Sequence, residues 1–342
     1  MNKPDEKLLL LVDQLCTADQ VKELLRIGKE TKPKDIRVTA ETKTDLIQRN
    51  LRSAIQSGGV TASMVYDAIR SSEECGNQHI FYFKPKQRTE RDSFDLESVG
   101  QALWGKGWRD VKGFPKADTP RDGFDYADFR SPDLKPNHWI LKIYGQLTYQ
   151  RYTGRDEERN DRVYKEFVKE NLRVVLVARW NPPSLLELRV QRDESRRRIS
   201  SWLATLWQML GPALRRDDFD PWDLTKARKR LIEEEEKHSG VYNFRDTRLV
   251  DPHKTTASFE PYETDGYLFA SIEAKEAIQS LLDAKSKCTN LSVTWPTRED
   301  GTPSLELRTL LGDREANEVV VYSHCKAKDL DYVTDKLRFF NR

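Results

Sequence analysis

LRVVLVARWNPPSLLELRVQ, residues 172–191, reads as two strands joined by a tight turn. LRVVLVARW (172–180) is an apolar run rich in β-branched side chains, and NPPS carries two prolines that cannot continue a ladder. LLELRVQ (185–191) then alternates apolar and charged positions. Successive strand residues point to opposite faces, so Leu186 and Leu188 are expected inward and Glu187 and Arg189 outward. The same vocabulary returns downstream: NLSVTW ends on Trp295, a Pro303-Ser304 turn follows, and Leu305-Glu306-Leu307-Arg308 repeats LELR. Helices expected over 161–170 and 273–285 precede the two copies. Helix, strand, turn and strand therefore recur in one order, the pattern of a degenerate duplication.

Working outward, WILKIYGQLTYQRYTG (139–154) alternates like a strand with Gly145 as a candidate bulge, and HIFYFK (79–84) is a further strand. Residues 105–136 are rich in Gly, Pro and Asp without a period, which predicts a long loop. SRRRISSWLATLWQML (195–210) places Ile199, Trp202, Leu203, Leu206, Trp207 and Leu210 on one helical stripe, stopped by Gly211-Pro212. Residues 215–237 suggest a solvated charged helix and 240–265 an irregular connection. YLFASI (267–272) is expected as a strand, followed by a helix, three strands and a closing helix from Asp329.

Residues 5–75 carry helical stripes, among them Leu8, Leu11, Val12 and Leu15, with Thr17 and Gln20 spaced as a capping box for the second helix. The fold class expected is α+β: a small N-terminal helical bundle, then a mixed, mainly antiparallel sheet body. The divisions are 1–76 helical, 77–136 strand, short helix and linker, 137–214 first sheet unit, 215–265 charged connection, and 266–342 second sheet unit.

Composition narrows the function. Of 342 residues 37% are hydrophobic and 33% charged, with a net charge of +2 and eight Trp, which excludes wholesale disorder. Cys16, Cys75, Cys288 and Cys325 form no C-x-x-C pair, so neither a zinc ribbon nor a disulfide framework is indicated, and reduced thiols in an intracellular protein are expected. No run approaches the roughly 20 apolar residues of a membrane span. MNKPDEKLLLLVDQL reads as a helix and not a signal peptide, because acidic residues flank the leucines.

There is no phosphate-binding G-x-x-x-x-G-K-[ST], no G-x-G-x-x-G after a strand and no G-x-S-x-G, and no two of the five His stand at metal-ligand spacing. A metal-dependent nuclease would draw on Asp122, Asp125, Asp128 and Lys142, but their spacing matches no established pattern. The expectation is a non-enzymatic chain with no catalytic residue, metal ligand or cofactor.

The cations are more informative. Residues 22–52 hold nine basic against five acidic side chains, and 135–198 hold fifteen against nine. Phosphate contacts need such clustering on one surface. The candidate nucleic-acid contacts are Lys22, Arg26, Lys29, Lys32, Lys34, Arg37, Lys43 and Arg49 in the first cluster. In the second they are Lys142, Arg151, Arg196, Arg197 and Arg198. The last three open a helix, where the macrodipole disfavours cations and an external anion would favour them. The alternative is a protein–protein scaffold that assembles through the helical domain and the sheet edges.

Three stretches, ETKTDLIQRNLRSAI (41–55), NQHIFYF (77–83) and HWILKIYGQLTYQRYTG (138–154), together resemble the centromere protein N family of the inner kinetochore, across about the first half of the chain. That resemblance implies a death-fold-like (pyrin-like) helical start and a mixed α/β region. It also implies DNA or chromatin binding along a basic groove between them, with the C-terminal sheet docking a partner protein. Lys43 matches the basic start of the family's third helix, and Lys142 the basic position of its W-I-x-I strand. The charged segment 215–237 and the second LELR copy have no counterpart there. The partners expected are double-stranded DNA, a protein at the C-terminal sheet and a second copy of the chain, with no membrane. The compartment would be nuclear in a eukaryote, and cytoplasm or nucleoid in a prokaryote.

Overall fold

A computed structural model describes all residues except 1–5, 32–35, 87–93, 111–115, 117, 133–136, 161, 194 and 264–265. It shows a mixed α+β chain with a large, mostly antiparallel sheet. The chain divides into two compact units, one formed by Met1–Asn77, Thr294–Arg308 and Tyr322–Arg338, the other by Gln78–Val293, Thr309–Val321 and Phe339–Arg342.

The first unit begins with helices α1 (Glu6–Leu15) and α2 (Ala18–Thr31). A short α3 (Lys43–Asp45) runs through a π-helical turn (Leu46–Leu51) into α4 (Arg52–Gln56), and α5 (Ala62–Glu74) follows. Capping chemistry sets these starts. Thr17 Oγ1 accepts the Gln20 amide at 3.2 Å while Gln20 Oε1 accepts that of Thr17 at 2.8 Å, the expected capping box. Thr42 Oγ1 accepts the Asp45 amide at 3.0 Å. The helices pack Leu9, Val12, Leu25, Ile47, Leu51, Ala54 and Val65 into one core, with Leu11 and Leu15 half-buried at its margin.

The second unit is built on strands β1 (Gly76–Pro85), β2 (Phe124–Arg130), β3 (Trp139–Arg159), β4 (Arg162–Asn181) and β5 (Leu185–Gln191). They continue with β6 (Phe219–Pro221), β7 (Asn243–Val250), β8 (Thr256–Phe259), β9 (Lys287–Trp295), β10 (Leu307–Leu311) and β11 (Glu318–His324), some of whose ends fall in the first unit. The sheet order is β2-β3-β4-β5-β1-β11-β10-β9-β7-β8, with β6 against β1. Consecutive strands β3–β4–β5 lie on one side of β1 and consecutive β9–β10–β11 on the other. A helix follows each trio, α7 (Arg196–Leu210) and α10 (Ala327–Phe340). The remaining helices are α6 (Leu96–Trp104), α8 (Thr225–Glu233) and α9 (Ile272–Asp283).

Alternation gives the sheet two unlike faces. On one, Phe81, Phe83, Leu141, Ile143, Leu176, Leu186, Leu188 and Val190 meet the α7 stripe of Ile199, Trp202, Leu206, Trp207 and Leu210. Burying each such side chain contributes about 1.5–3 kcal/mol, so this contact anchors the unit. The other face carries a small apolar patch (Ala127, Ile140, Tyr144, Val175, Val177) amid buried charge: Asp128, Lys142, Arg179, Glu187 and Arg189.

Several expectations are corrected. The helix expected over 161–170 is not formed: residues 162–170 belong to β4, whose ladder with β3 continues to Arg159↔Arg162, and residue 161 lies outside the described residues. The spacing of Val163, Tyr164, Phe167 and Val168 suits a helix as well as a ladder, and the partner strand decides. Glu187 and Arg189 are buried, not outward. The expected loop 105–136 contains β2, paired with β3. Residues 215–237 are no solvated helix. They form a 3-10 turn, β6 and α8, which buries Ala227, Arg228, Leu231 and Ile232. Residues 267–272 hold a 3-10 turn (Leu268–Ala270) in place of a strand. In the second LELR copy Leu305 is 65% exposed and the strand starts only at Leu307. Both Pro-Ser turns contain a cis X-Pro bond, Pro182-Pro183 and Thr302-Pro303.

β3 and β4 extend far beyond their neighbours. β2 pairs with β3 only as far as Gly145, and β5 pairs with β4 only from Leu176. Residues 146–159 and 162–175 therefore form a two-stranded arm, roughly 40 Å long at about 3.3 Å per residue. Neither arm edge is paired with a further strand among the described residues.

Candidate nucleic-acid interface

In the first unit, α2 spaces Lys22, Arg26 and Lys29 at i, i+4 and i+7, which brings them onto one helical face. Carboxylates one turn away engage two of them: Lys22 Nζ lies 3.1 Å from Asp19 and Arg26 Nη1 3.4 Å from Glu23. Lys29 and Arg37 are exposed and have no ion pair or hydrogen bond among the described residues. Arg49 pairs with Asp45 at 3.1 Å. Lys43 donates to the Asp13 carbonyl oxygen and stands 3.8 Å from its carboxylate, so it ties the start of α3 to α1. Lys32 and Lys34 lie outside the described residues.

In the second unit, Ser195 caps α7 by accepting the Arg198 amide at 3.4 Å, and Asp193 accepts the Ser195 amide at 2.6 Å. The same carboxylate lies 3.2 Å from Arg198 Nε. One carboxylate thus offsets one of three consecutive arginines, while Arg196 and Arg197 are exposed with no partner among the described residues. Arg151 sits on the arm, its Nε 2.5 Å from Glu170, which also accepts the Tyr149 hydroxyl at 2.6 Å. The Tyr149 hydroxyl and the Arg151 guanidinium hold the Glu170 carboxyl below the usual range.

Lys142 is placed otherwise. It is 1% exposed, opposite the buried Asp128 in the β2–β3 register, with its ammonium 5.7 Å from the Tyr144 ring. A strand position of even parity here faces the buried charged layer, so Lys142 is not a surface cation. The layer continues on β4 and β5, where Glu187 accepts from Arg189 Nε at 3.1 Å and Arg179 lies 3.9 Å away.

Two of the three carboxylates of the nuclease alternative are engaged in ion pairs, Asp125 with Lys116 at 2.5 Å and Asp128 with Arg130 at 2.6 Å, while Asp122 is exposed. Among the described residues no group of three or more His, Cys, Asp and Glu is arranged to hold a metal ion. His324 is half-buried, and desolvation lowers its pKa. No helix among the described residues is long and apolar enough to cross a membrane. An open cleft of about 460 Å³ in the second unit sets Lys229, Lys285 and Lys287 beside Glu233 and Asp283.

The feature that sequence reasoning missed is the arm's exposed apolar surface. Tyr149, Tyr152, Val163, Tyr164, Phe167 and Val168 are 38–60% exposed. The sequence signal was ambiguous, because Val163-Tyr164 and Phe167-Val168 recur four residues apart, a spacing that suits a helix as well as a strand. No protein-family model matches the chain, and no curated protein matches it.

Proposed function

We propose that this chain is a non-enzymatic adaptor that binds double-stranded DNA through cations displayed on each of its units. The observation that carries the reading is the start of α7. Arg196 and Arg197 stand exposed beside Arg198, with no partner among the described residues, in the first turn of a 15-residue helix. The helix field there opposes positive charge by about 0.3–1 kcal/mol per group, and a bound phosphate would reverse that sign. The Lys22, Arg26 and Lys29 stripe and Arg37 offer a second cationic surface. Two finer readings belong to the proposal: membership of the centromere protein N family with its death-fold-like helical start, and protein docking at the C-terminal sheet. Both rest on the three stretches of sequence likeness.

Titration of labelled duplex DNA by fluorescence anisotropy at several salt concentrations tests it. Each lost phosphate contact reduces the salt slope by about one, so Arg196→Glu with Arg197→Glu should lower the slope by roughly two and weaken binding about tenfold or more. Absence of binding at low salt, or a double variant that binds like the parent chain, would overturn the reading.

The scaffold reading has one observation in its favour: the arm, whose edges pair with no further strand among the described residues and whose two faces both expose apolar side chains.

A further inference from the structure

The turn that ends α9 brings a run of polar side chains to a cleft. The Ser286 amide donates to the Leu281 carbonyl and the Lys285 amide to that of Leu282, both at 3.0 Å, the reversal that closes a helix through a left-handed residue. Lys285 takes that conformation, with φ +66°, and β9 starts two residues later at Lys287. Lys285, Ser286 and Lys287 line the open cleft of about 460 Å³, to which α8 adds Thr225, Lys229 and Glu233 at i, i+4 and i+8.

The polar groups of this lining are unequally engaged. Lys229 Nζ lies 3.4 Å from Glu233, and Asp283, the other carboxylate, accepts from Gln279 Nε2 at 2.9 Å. Lys285 and Lys287 are exposed, and their ammoniums have no ion pair or hydrogen bond among the described residues. Ser286 between them is 7% exposed, and its hydroxyl has no hydrogen-bond partner among the described residues. The C-terminal end of α9 by itself favours a nearby lysine, but that field does not account for a buried hydroxyl without a partner.

We infer that the cleft is a binding site for a phosphate group, held by the Lys285 and Lys287 ammoniums with the Ser286 hydroxyl as a third donor. A phosphate oxygen supplies the acceptor that the hydroxyl lacks and the counter-charge for both lysines. Three lysines against two carboxylates leave the lining net positive, and Thr225, the first residue of α8, adds the positive end of a helix. Small ligands occupy clefts of about 300–1,000 Å³, so this volume has room for the phosphate and the group that carries it. The carrier is a small phosphorylated molecule or a nucleic-acid backbone. The inference does not depend on the DNA reading, which rests on other residues.

Thermal melting of the full chain against inorganic phosphate, at constant ionic strength, tests it through the stability that a bound ligand adds. The parent's melting temperature should rise with phosphate. Ser286→Ala should melt no lower than the parent without phosphate, since its hydroxyl has no partner to lose, and should need about threefold to tenfold more phosphate for the same rise. Lys285→Gln with Lys287→Gln should need at least about tenfold more. No rise in the parent overturns the inference, as does an equal rise in all three proteins, which is general salt stabilisation. The lysine double variant titrated with duplex DNA identifies the carrier: weakened DNA binding assigns the site to a nucleic-acid backbone, and unchanged or absent DNA binding to a small phosphorylated molecule.

Discussion

Replacing Glu318 tests whether a buried polar junction holds the second unit together. Glu318 starts β11 with none of its surface exposed, and one carboxylate oxygen lies 2.6 Å from Nδ1 of His79, itself 3% exposed on β1. The other oxygen accepts the backbone amides of Arg314 at 2.7 Å and Glu315 at 3.3 Å, which closes the turn between β10 and β11. A carboxylate suits this place because it accepts in several directions at once. Glu318→Ala strands the His79 nitrogen and the Arg314 amide inside the protein. Each stranded group costs about 1–3 kcal/mol, so with the weaker third bond the total is about 3–5 kcal/mol. Glu318→Gln keeps one acceptor but turns an amide donor toward other donors, and should cost about 1–2 kcal/mol. His79→Leu combined with Glu318→Leu should be less destabilising than the sum of the two single changes, since no polar partner is then left alone. Urea unfolding followed by tryptophan fluorescence gives these differences directly. Glu318→Ala within about 1 kcal/mol of the parent, or additive single changes, would show that the junction contributes little.

Other positions give sharper single outcomes. Burial holds the His324 pKa below 6.5, so its stabilising contribution is present above that value and is lost as pH falls through the folded-state pKa. Thermal melting should show stability declining on acidification, and His324→Asn should flatten that decline; equal slopes would refute it. Gly76 has φ +82°, and a Cβ there would lie 2.0 Å from the Ser323 carbonyl oxygen, so Gly76→Ala should cost about 2 kcal/mol or more in denaturant unfolding. An unchanged midpoint would contradict it. Lys142→Glu adds a carboxylate beside the buried Asp128 and should destabilise the fold by about 3–5 kcal/mol, read from the same unfolding curve. If it weakened DNA binding while leaving stability unchanged, the burial argument would fail.

What was legible in the sequence depended on how local its physics is. The capping box at Thr17 and the α7 stripe ending at Gly211 are set within four residues, and both form as the spacing predicts. The strand at 79–84 was legible because its apolar run is too short for a helix. The 162–171 segment was not. Its apolar spacing suits a helix as well as a strand, and the choice is made by the ladder with β3, which runs from Arg159↔Arg162 back to Thr148↔Asn171. The candidate cations show the same divide. Lys22, Arg26 and Lys29 share a face because helical geometry alone decides it, whereas Lys142 needed the knowledge that its face of the sheet is buried.

The two LELR copies make the point at its sharpest. Alternation places Glu and Arg of each copy on one face, but it does not say whether that face meets water. In β5 it does not: Glu187 and Arg189 join Arg179, Lys142 and Asp128 in a layer that supplies its own counter-charges. In the second copy Glu306 and Arg308 are half-exposed, 3.2 Å apart, and Leu305 faces solvent. A surface pair of that kind contributes about 0–1 kcal/mol, while removing one member of the buried set would leave charge without compensation. Identical letters therefore have different work, structural in one copy and incidental in the other. The likeness that the fold does display is larger than the letters: consecutive strands β3–β4–β5 then α7, and β9–β10–β11 then α10, on opposite sides of β1. Charge that the strand pattern suggested for a binding face is thus spent inside the sheet. Exposed on the surface instead are Arg196 and Arg197 at the start of α7, without a partner among the described residues, and the aromatic side chains of the arm that grows from β3 and β4.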